Sequence, residues 1–216
     1  MINVIRPGGP ASLIMYVDGL LDPSLCTSIV DALEPAYDSI CYPGKTGGGV
    51  LPLTKNSRDC VLTETTFASA GLPWTSHLAD SEATVSRALT RVISMYCAEN
   101  VDLHAWDSIE DTGYQVQRYD EARGFYRRHV DSLPGHPSSD RVAAVLVYLN
   151  TVGHGGETVF PLHGVSVTPV AGRILIFPAT WTHPHEARPP IVGDKWIIST
   201  FLLNTAHTHE SHPHPH

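Results

Sequence analysis

The texture of the chain changes near Asp111, and that change limits the fold more than any other feature. Seven short runs follow in succession: "YQVQRY", "GFYRRHVD", "RVAAVLVYL", "ETVF", "VSVTPV", "RILIF" and "KWIISTFLL". They are rich in β-branched and aromatic residues, and turn signals such as "LNTVGHGGET", "LHG", "VAG" and "PPIVGD" separate them, so each reads as a strand. "VAAVLVYL" is apolar without alternation, as expected of a strand covered on both faces.

Upstream, the signals are helical. In "LDPSLCTSIVDAL", Asp22 is placed to cap, Pro23 suits the first helical position, and Leu25, Ile29 and Leu33 recur every fourth residue. In "DSEATVSRALTRVISMYCAEN", Asp80 or Ser81 is the expected cap, and Val85, Leu89, Val92, Ile93 and Tyr96 form the apolar face. Between them, "CYPGKTGGGVLPLTKNSRD" reads as a mobile loop leading into a short strand. It lacks the spacing of a phosphate-binding loop. The order predicts a mainly β domain, a sandwich or barrel with flanking helices outside it. It is a single domain over residues 1–205, with 1–110 as helical support and lid loop and 111–205 as the β core. Residues 206–216, "AHTHESHPHPH", hold five of the thirteen histidines and read as a disordered tail.

Composition excludes several classes. A formal net charge of -8 is unlike the basic surface of a nucleic-acid binder and favours basic or neutral substrates over acidic ones. No apolar run is long enough to span a bilayer, so no membrane partner is expected. No signal peptide is evident, and Cys26, Cys41, Cys60 and Cys97 contain no C-x-x-C pair. Reduced, mostly buried cysteines in a cytoplasmic protein are the expectation.

The chemistry concentrates in three places. His129 and Asp131 stand two apart in "GFYRRHVD", which on a strand puts both side chains on one face. In "KWIISTFLL", Lys195, Ile197, Ser199 and Phe201 share a face. A lysine on so apolar a strand either turns to solvent or meets an anion. Ten residues earlier stands His185, in "THPHEARPP". Two imidazoles and one carboxylate from separate strands make the facial triad of non-haem iron oxygenases, with open positions on the metal. His129 and Asp131 serve that purpose provided His185 folds back beside them; otherwise they are an ordinary hydrogen-bonded pair. His183 competes for the same role.

At these residues the chain resembles a known family. "YQVQRYDEARGFYRRHVD", "YLN", "GGETVFP", "VTPVAGRILIF", and a histidine followed after eight residues by Gly and after ten by Lys-Trp look like the Fe(II)/2-oxoglutarate-dependent dioxygenases, in particular their prolyl 4-hydroxylase-like group. The resemblance runs from about Tyr114 to Phe201. It implies a double-stranded β-helix, the jelly-roll barrel of the cupins. It implies His129, Asp131 and His185 as ligands of Fe(II), the ten-residue gap to Lys195 favouring His185 over His183. It implies Lys195 and Tyr148 on the distal carboxylate of 2-oxoglutarate, with Thr158 and Ser199 as further candidates for that pocket. Tyr119 would lie near the metal-bound end of the cosubstrate. Oxygen is the implied second cosubstrate and ascorbate the reductant.

Two departures touch the substrate side: Phe201 stands where many prolyl 4-hydroxylases carry Trp, and Glu186–Pro189 differs from the usual Gly-containing segment. The expected activity is hydroxylation of a prolyl residue in a peptide or protein. Hydroxylation of a free amino acid or small metabolite is the alternative, and a metal-holding jelly roll without turnover is a third possibility. The glycines from Gly44 to Gly49 are the expected lid.

Overall fold

The structure, a computed structural model, describes residues 1–99, 109–136 and 138–204; the expected tail at 206–216 lies outside the described residues. In chain order the elements are β1 (Asn3–Ile5), β2 (Met15–Asp18), α1 (Pro23–Leu33), α2 (Tyr37–Ile40), β3 (Tyr42–Pro43), β4 (Lys55–Asn56), β5 (Arg58–Val61), α3 (Glu64–Ser69), α4 (Ser76–Glu99), β6 (Ile109–Asp111), β7 (Gln115–Tyr119), β8 (Phe125–His129), β9 (Arg141–Tyr148), β10 (Thr158–Phe160), β11 (Val165–Val167), β12 (Ile174–Pro178), β13 (His185–Ala187) and β14 (Lys195–Asn204).

Two antiparallel sheets face each other. The larger runs β1-β2-β12-β9-β14-β7-β5-β3, with β6 also on β14; the smaller runs β11-β10-β13-β8-β4. This is a jelly roll, in which hairpin-connected strands alternate between sheets so that both inner faces line one space. The strand β14 shows how sequence alternation builds it. Trp196, Ile198 and Leu202 pack outward into the core shared with the helices. Ile197 packs inward with Tyr119, Tyr148, Phe160 and Phe177. Lys195, Ser199 and Phe201 line the cavity on that same inner face. The strand β9 lies between β12 and β14 and is covered on both sides, as its unbroken apolar run predicts.

The helices form the outer layer. In α1, Asp22 accepts the Ser24 N–H at 2.8 Å with Pro23 next to it; Cys26, Ile29 and Leu33 are its buried face, while Leu25 is only partly covered. The helix α4 begins a turn earlier than expected. Thr75 Oγ1 accepts from Leu78 N, because the apolar period extends back to Leu78, and Asp80 and Ser81 are interior positions. Ser81 is buried. Among the described residues, no helix is long and apolar enough to cross a membrane.

The N-terminal segment does more than supply helices and a lid. The strand β2 extends the large sheet beyond β12, β5 and β3 extend it beyond β7, and β4 closes the small sheet beside β8. The strands β3, β4 and β5 are two to four residues long and carry Lys55, Arg58 and Asp59, too short and polar to show a period of two; β2 alternates buried and half-buried residues over its four positions.

Candidate active site

The hairpin geometry of the small sheet assembles the metal-ligand set. β13 pairs antiparallel with β8, and His185 stands directly opposite His129. Asp131 follows β8, anchored by its N–H to Ala179 O at 3.0 Å. His129 Nε2 lies 3.4 Å from Asp131 Oδ1, and His185 Nε2 lies 3.5 Å from Asp131 Oδ2. The three ligand atoms lie within 4.8 Å of one another.

The second nitrogens fix the tautomers. His129 Nδ1 is 2.8 Å from Arg127 O and His185 Nδ1 is 3.1 Å from His183 O. A carbonyl only accepts, so each Nδ1 carries the proton and each Nε2 presents a lone pair. Two lone pairs aimed at one carboxylate repel it unless a cation sits among them. Donors about 2.1 Å from an ion, at right angles, stand about 3 Å apart, close to the observed spacing. The donor set fits a divalent iron.

Packing holds the rings in place. Tyr126 stacks on His129 at 3.4 Å between centroids, and Phe177 and Phe160 close on His185 at 4.6 and 5.6 Å. Burial lowers the His185 pKa to about 4, against the pull of Asp131, so the imidazole is neutral and ready to ligate. Burial pushes the Asp131 carboxyl up, but His185, His129 and Arg141 together hold it below its ordinary value. His183 faces elsewhere. It lies outside β13, its Nε2 donates to Ser12 O at 2.7 Å, and its ring stacks on His163.

Beyond the triad lies a cavity of about 360 Å³. Lys195, 1% exposed, stands at one end. Its ammonium donates to Gly156 O at 2.8 Å and lies 5.2 and 5.6 Å from the Tyr119 and Tyr148 rings. Burial lowers its pKa to about 7, with Glu157 opposing. Tyr148 Oη and Thr158 Oγ1 share a 2.7 Å hydrogen bond, so Lys195, Tyr148 and Thr158 form one group. Ser199 lies in the same cavity but four residues along β14, about 13 Å of strand from Lys195. Its Oγ accepts from Gln117 Nε2 at 2.9 Å, and Gln117 Oε1 accepts from Tyr119 Oη at 2.7 Å. Ser199 and the Tyr119 hydroxyl therefore belong to a separate polar wall.

Several lining residues carry no motif of their own. Lys55, on β4, is 4% exposed and is bound by Asp59 Oδ2 at 2.7 Å; Asp59 Oδ1 accepts from Ser57 at 2.7 Å. Gly44 gives the lid root room beside this trio, since a Cβ there would come within 2.2 Å of Ser57 Oγ. Arg141 spreads over the Phe201 ring at 3.7 Å. Lys45, Thr46 and Gly47 of the expected lid reach the cavity, held in a turn by paired Thr46–Gly49 backbone bonds of 2.8 and 2.9 Å. A second groove of about 270 Å³ is lined by Phe125, Arg127, Glu186 and Arg188, which alternate along their strands with the inward Tyr126 and Ala187. The one sequence signal for these residues was polarity beside strands, which marks exposed and buried positions alike.

Fold and ligand set define a class: a double-stranded β-helix with a facial set of two histidines and one carboxylate. Residues 114–203 match the 2OG-Fe(II) oxygenase superfamily, and the relatives and solved structures to which the chain is similar include prolyl 4-hydroxylases.

Among curated relatives, prolyl 4-hydroxylase subunit alpha-1 of Gallus gallus is 30% identical over 127 residues, covering 55% of this chain and 24% of that protein. Probable prolyl 4-hydroxylase 9 of Arabidopsis thaliana is 28% identical over 115 residues, 41% of this chain and 40% of that one. The chain thus spans about a quarter of the length of the chicken relative it matches. Among solved structures, a Trichoplax adhaerens prolyl hydroxylase in complex with a hypoxia inducible factor peptide fragment has a TM-score of 0.70 at 19% identity, covering 89% of this chain and 84% of that one. A Pseudomonas putida prolyl-4-hydroxylase has a TM-score of 0.63 at 16% identity, with coverage of 89% and 97%.

Proposed function

We propose that the protein is an Fe(II)- and 2-oxoglutarate-dependent hydroxylase of prolyl residues in a peptide. The observation that carries the reading is the pair of Nε2 lone pairs converging on the Asp131 carboxylate. His129, Asp131 and His185 would hold the iron. When bound, iron with 2-oxoglutarate and oxygen supplies the oxidising power, giving succinate, carbon dioxide and a hydroxylated C–H position.

The chain's own residues bind, orient and exclude water. Lys195 offers a desolvated ammonium to a carboxylate at the deep end, and Tyr148 with Thr158 offers hydroxyls beside it. Gln117 ties the Tyr119 hydroxyl to Ser199 and keeps that wall polar. Tyr126 and the phenylalanines keep the ligating rings dry and fixed. Ascorbate would act as the external reductant. Four free thiols support the cytoplasmic reading.

The names of the relatives favour proline as the target. The test is incubation of the iron-loaded protein with 2-oxoglutarate, ascorbate and proline-containing peptides, with free amino acids in a parallel arm. Succinate together with a gain of one oxygen on peptidyl proline is the expected result, abolished by His129→Ala, Asp131→Ala or His185→Ala and retained by His183→Ala. Metal binding without succinate from any substrate would make the chain a binding module; oxidation of a free amino acid alone would make it a small-molecule hydroxylase.

A further inference from the structure

We infer that the substrate side of the cavity is a carboxylate receptor centred on Arg141, so that the preferred peptide carries an acidic side chain beside the target residue. This rests on the prolyl-peptide reading and deepens it. The argument is local charge. The net charge of -8 points to basic or neutral substrates, but the cavity wall has the opposite balance. Its cations are Lys45, Lys55, Arg141 and Lys195, and its one carboxylate is Asp131.

Each charge has a close partner or a fixed place except two, of which Arg141 feels Asp131 only from beyond 4 Å. Asp131 is turned to the imidazoles. Lys55 is bound by Asp59. Lys195 stands at the start of β14, while Arg141 lies across from Leu203 near its other end, about 26 Å of strand away. Arg141 and Lys45 remain. Among the described residues, no carboxylate lies within 4 Å of either cation.

Arg141 is poised for a ligand. Its guanidinium is half-buried and rests on Phe201 at 3.7 Å, which leaves its edge facing the cavity. Of its five N–H donors, one reaches the Asp131 carbonyl, at a long 3.3 Å. A half-buried cation with spare donors in a fixed fork is matched by a carboxylate, which accepts two parallel bonds. Lys45, exposed on the lid turn over the Tyr42 ring, adds a second positive charge at the mouth. His136 adds a donor. Its Nδ1 accepts the Ser138 N–H at 3.1 Å, so Nε2 bears the proton, on the side facing Gly47. Phe201, the departure from the usual Trp, is the platform on which Arg141 lies.

The test is a set of proline peptides differing at the residues flanking the target: Glu, Gln or Lys, with free or amidated C-terminus. Binding to the iron-loaded protein with 2-oxoglutarate, without oxygen, is measured by calorimetry, and oxygen incorporation is measured separately. A Glu peptide should bind on the order of tenfold tighter than its Gln partner at low salt. The gain should vanish in Arg141→Gln, shrink in Lys45→Gln, and persist in part in Arg141→Lys, while the Gln peptide's affinity changes little. A preference confined to free C-termini would assign the receptor to a terminal carboxylate and overturn the side-chain claim. Equal binding of Glu and Gln peptides, with both hydroxylated, would overturn the receptor and leave the prolyl reading standing. Tight, Arg141-dependent binding of acidic amino acids, oxidised while no peptide is, would keep the receptor and remove the peptide.

Discussion

The cavity wall buries two lysines and treats them in opposite ways. Lys55 and Lys195 are almost equally hidden, at 4% and 1% exposure. Lys55 is given an internal anion: Asp59 binds it at 2.7 Å and Ser57 occupies the second carboxylate oxygen. Lys195 is given a carbonyl and two tyrosine faces. A buried charge is expensive unless paired. At Lys55 the fold offsets that cost itself, which makes the residue part of the scaffold. At Lys195 the cost is left in the ligand-free protein, and a bound dicarboxylate would remove it. Among the described residues no carboxylate lies within 4 Å of Lys195, and on the proposed reading this lack of an internal anion, more than the lysine itself, suits that end to a cosubstrate.

The largest effect should come from breaking the Lys55 pair. Asp59→Asn strands a buried ammonium and should destabilise the fold by about 3–5 kcal/mol, read from urea unfolding. Replacing both partners, Lys55→Met with Asp59→Leu, should recover most of it. An Asp59→Asn protein as stable as the parent would mean that the pair is no scaffold. The same surgery at Lys195 should have the opposite sign. Lys195→Met removes an unpaired charge and should raise the stability of the ligand-free protein, while weakening 2-oxoglutarate about ten- to a hundredfold with little effect on iron binding. If stability fell in both variants, the two lysines would not differ in kind.

The sequence made one of these lysines legible and hid the other, for a physical reason. Lys195 sits in a ten-residue strand whose alternation assigns each side chain to a face, so an inward lysine was conspicuous. His129 and Asp131 were legible through their spacing, and His185 through its distance from Lys195. Lys55 and Asp59 lie in strands of two and four residues within a glycine-rich stretch, where no period can form. Arg141 begins an apolar strand, a place where arginines usually reach solvent. Its position over Phe201 depends on two strands far apart in sequence, and contacts of that kind exist only after the sheet has closed. The jelly roll was foreseen from strand texture and resemblance, and so was a short strand after the glycine-rich loop, whereas the pairing of the N-terminal strands that widens both sheets was not.

The pH dependence sharpens the comparison further. Burial lowers Lys195 from 10.5 to about 7 in the folded chain. Between those values the unfolded chain holds a proton that the folded chain lacks, so stability rises with pH across that window and the penalty is fully present below it. Ligand-free protein should therefore gain stability from pH 7 to 9, and Lys195→Met should flatten that slope. Binding of 2-oxoglutarate should run the other way. It requires the ammonium, so its apparent affinity should fall up to about tenfold per pH unit above 7, with proton uptake visible by calorimetry in two buffers of different ionisation heat. An affinity constant from pH 7 to 9 would show that Lys195 stays charged without a partner.

The smallest effect separates charge from hydrogen bonding at the deep end. Tyr148 Oη and Thr158 Oγ1 are buried beside Lys195 and bonded to each other at 2.7 Å. Neither is charged, and a neutral hydrogen bond contributes about 1 kcal/mol net. Tyr148→Phe should thus weaken 2-oxoglutarate only several-fold. It also leaves the Thr158 hydroxyl without its partner, which should cost the fold about 1–3 kcal/mol; adding Thr158→Val should restore part of that stability without restoring affinity. The ratio between the Tyr148→Phe and Lys195→Met losses is the informative quantity. A large ratio means that the ammonium selects the ligand and the hydroxyls orient it. A ratio near one would mean that Tyr148 and Lys195 act as a single unit, each ineffective without the other.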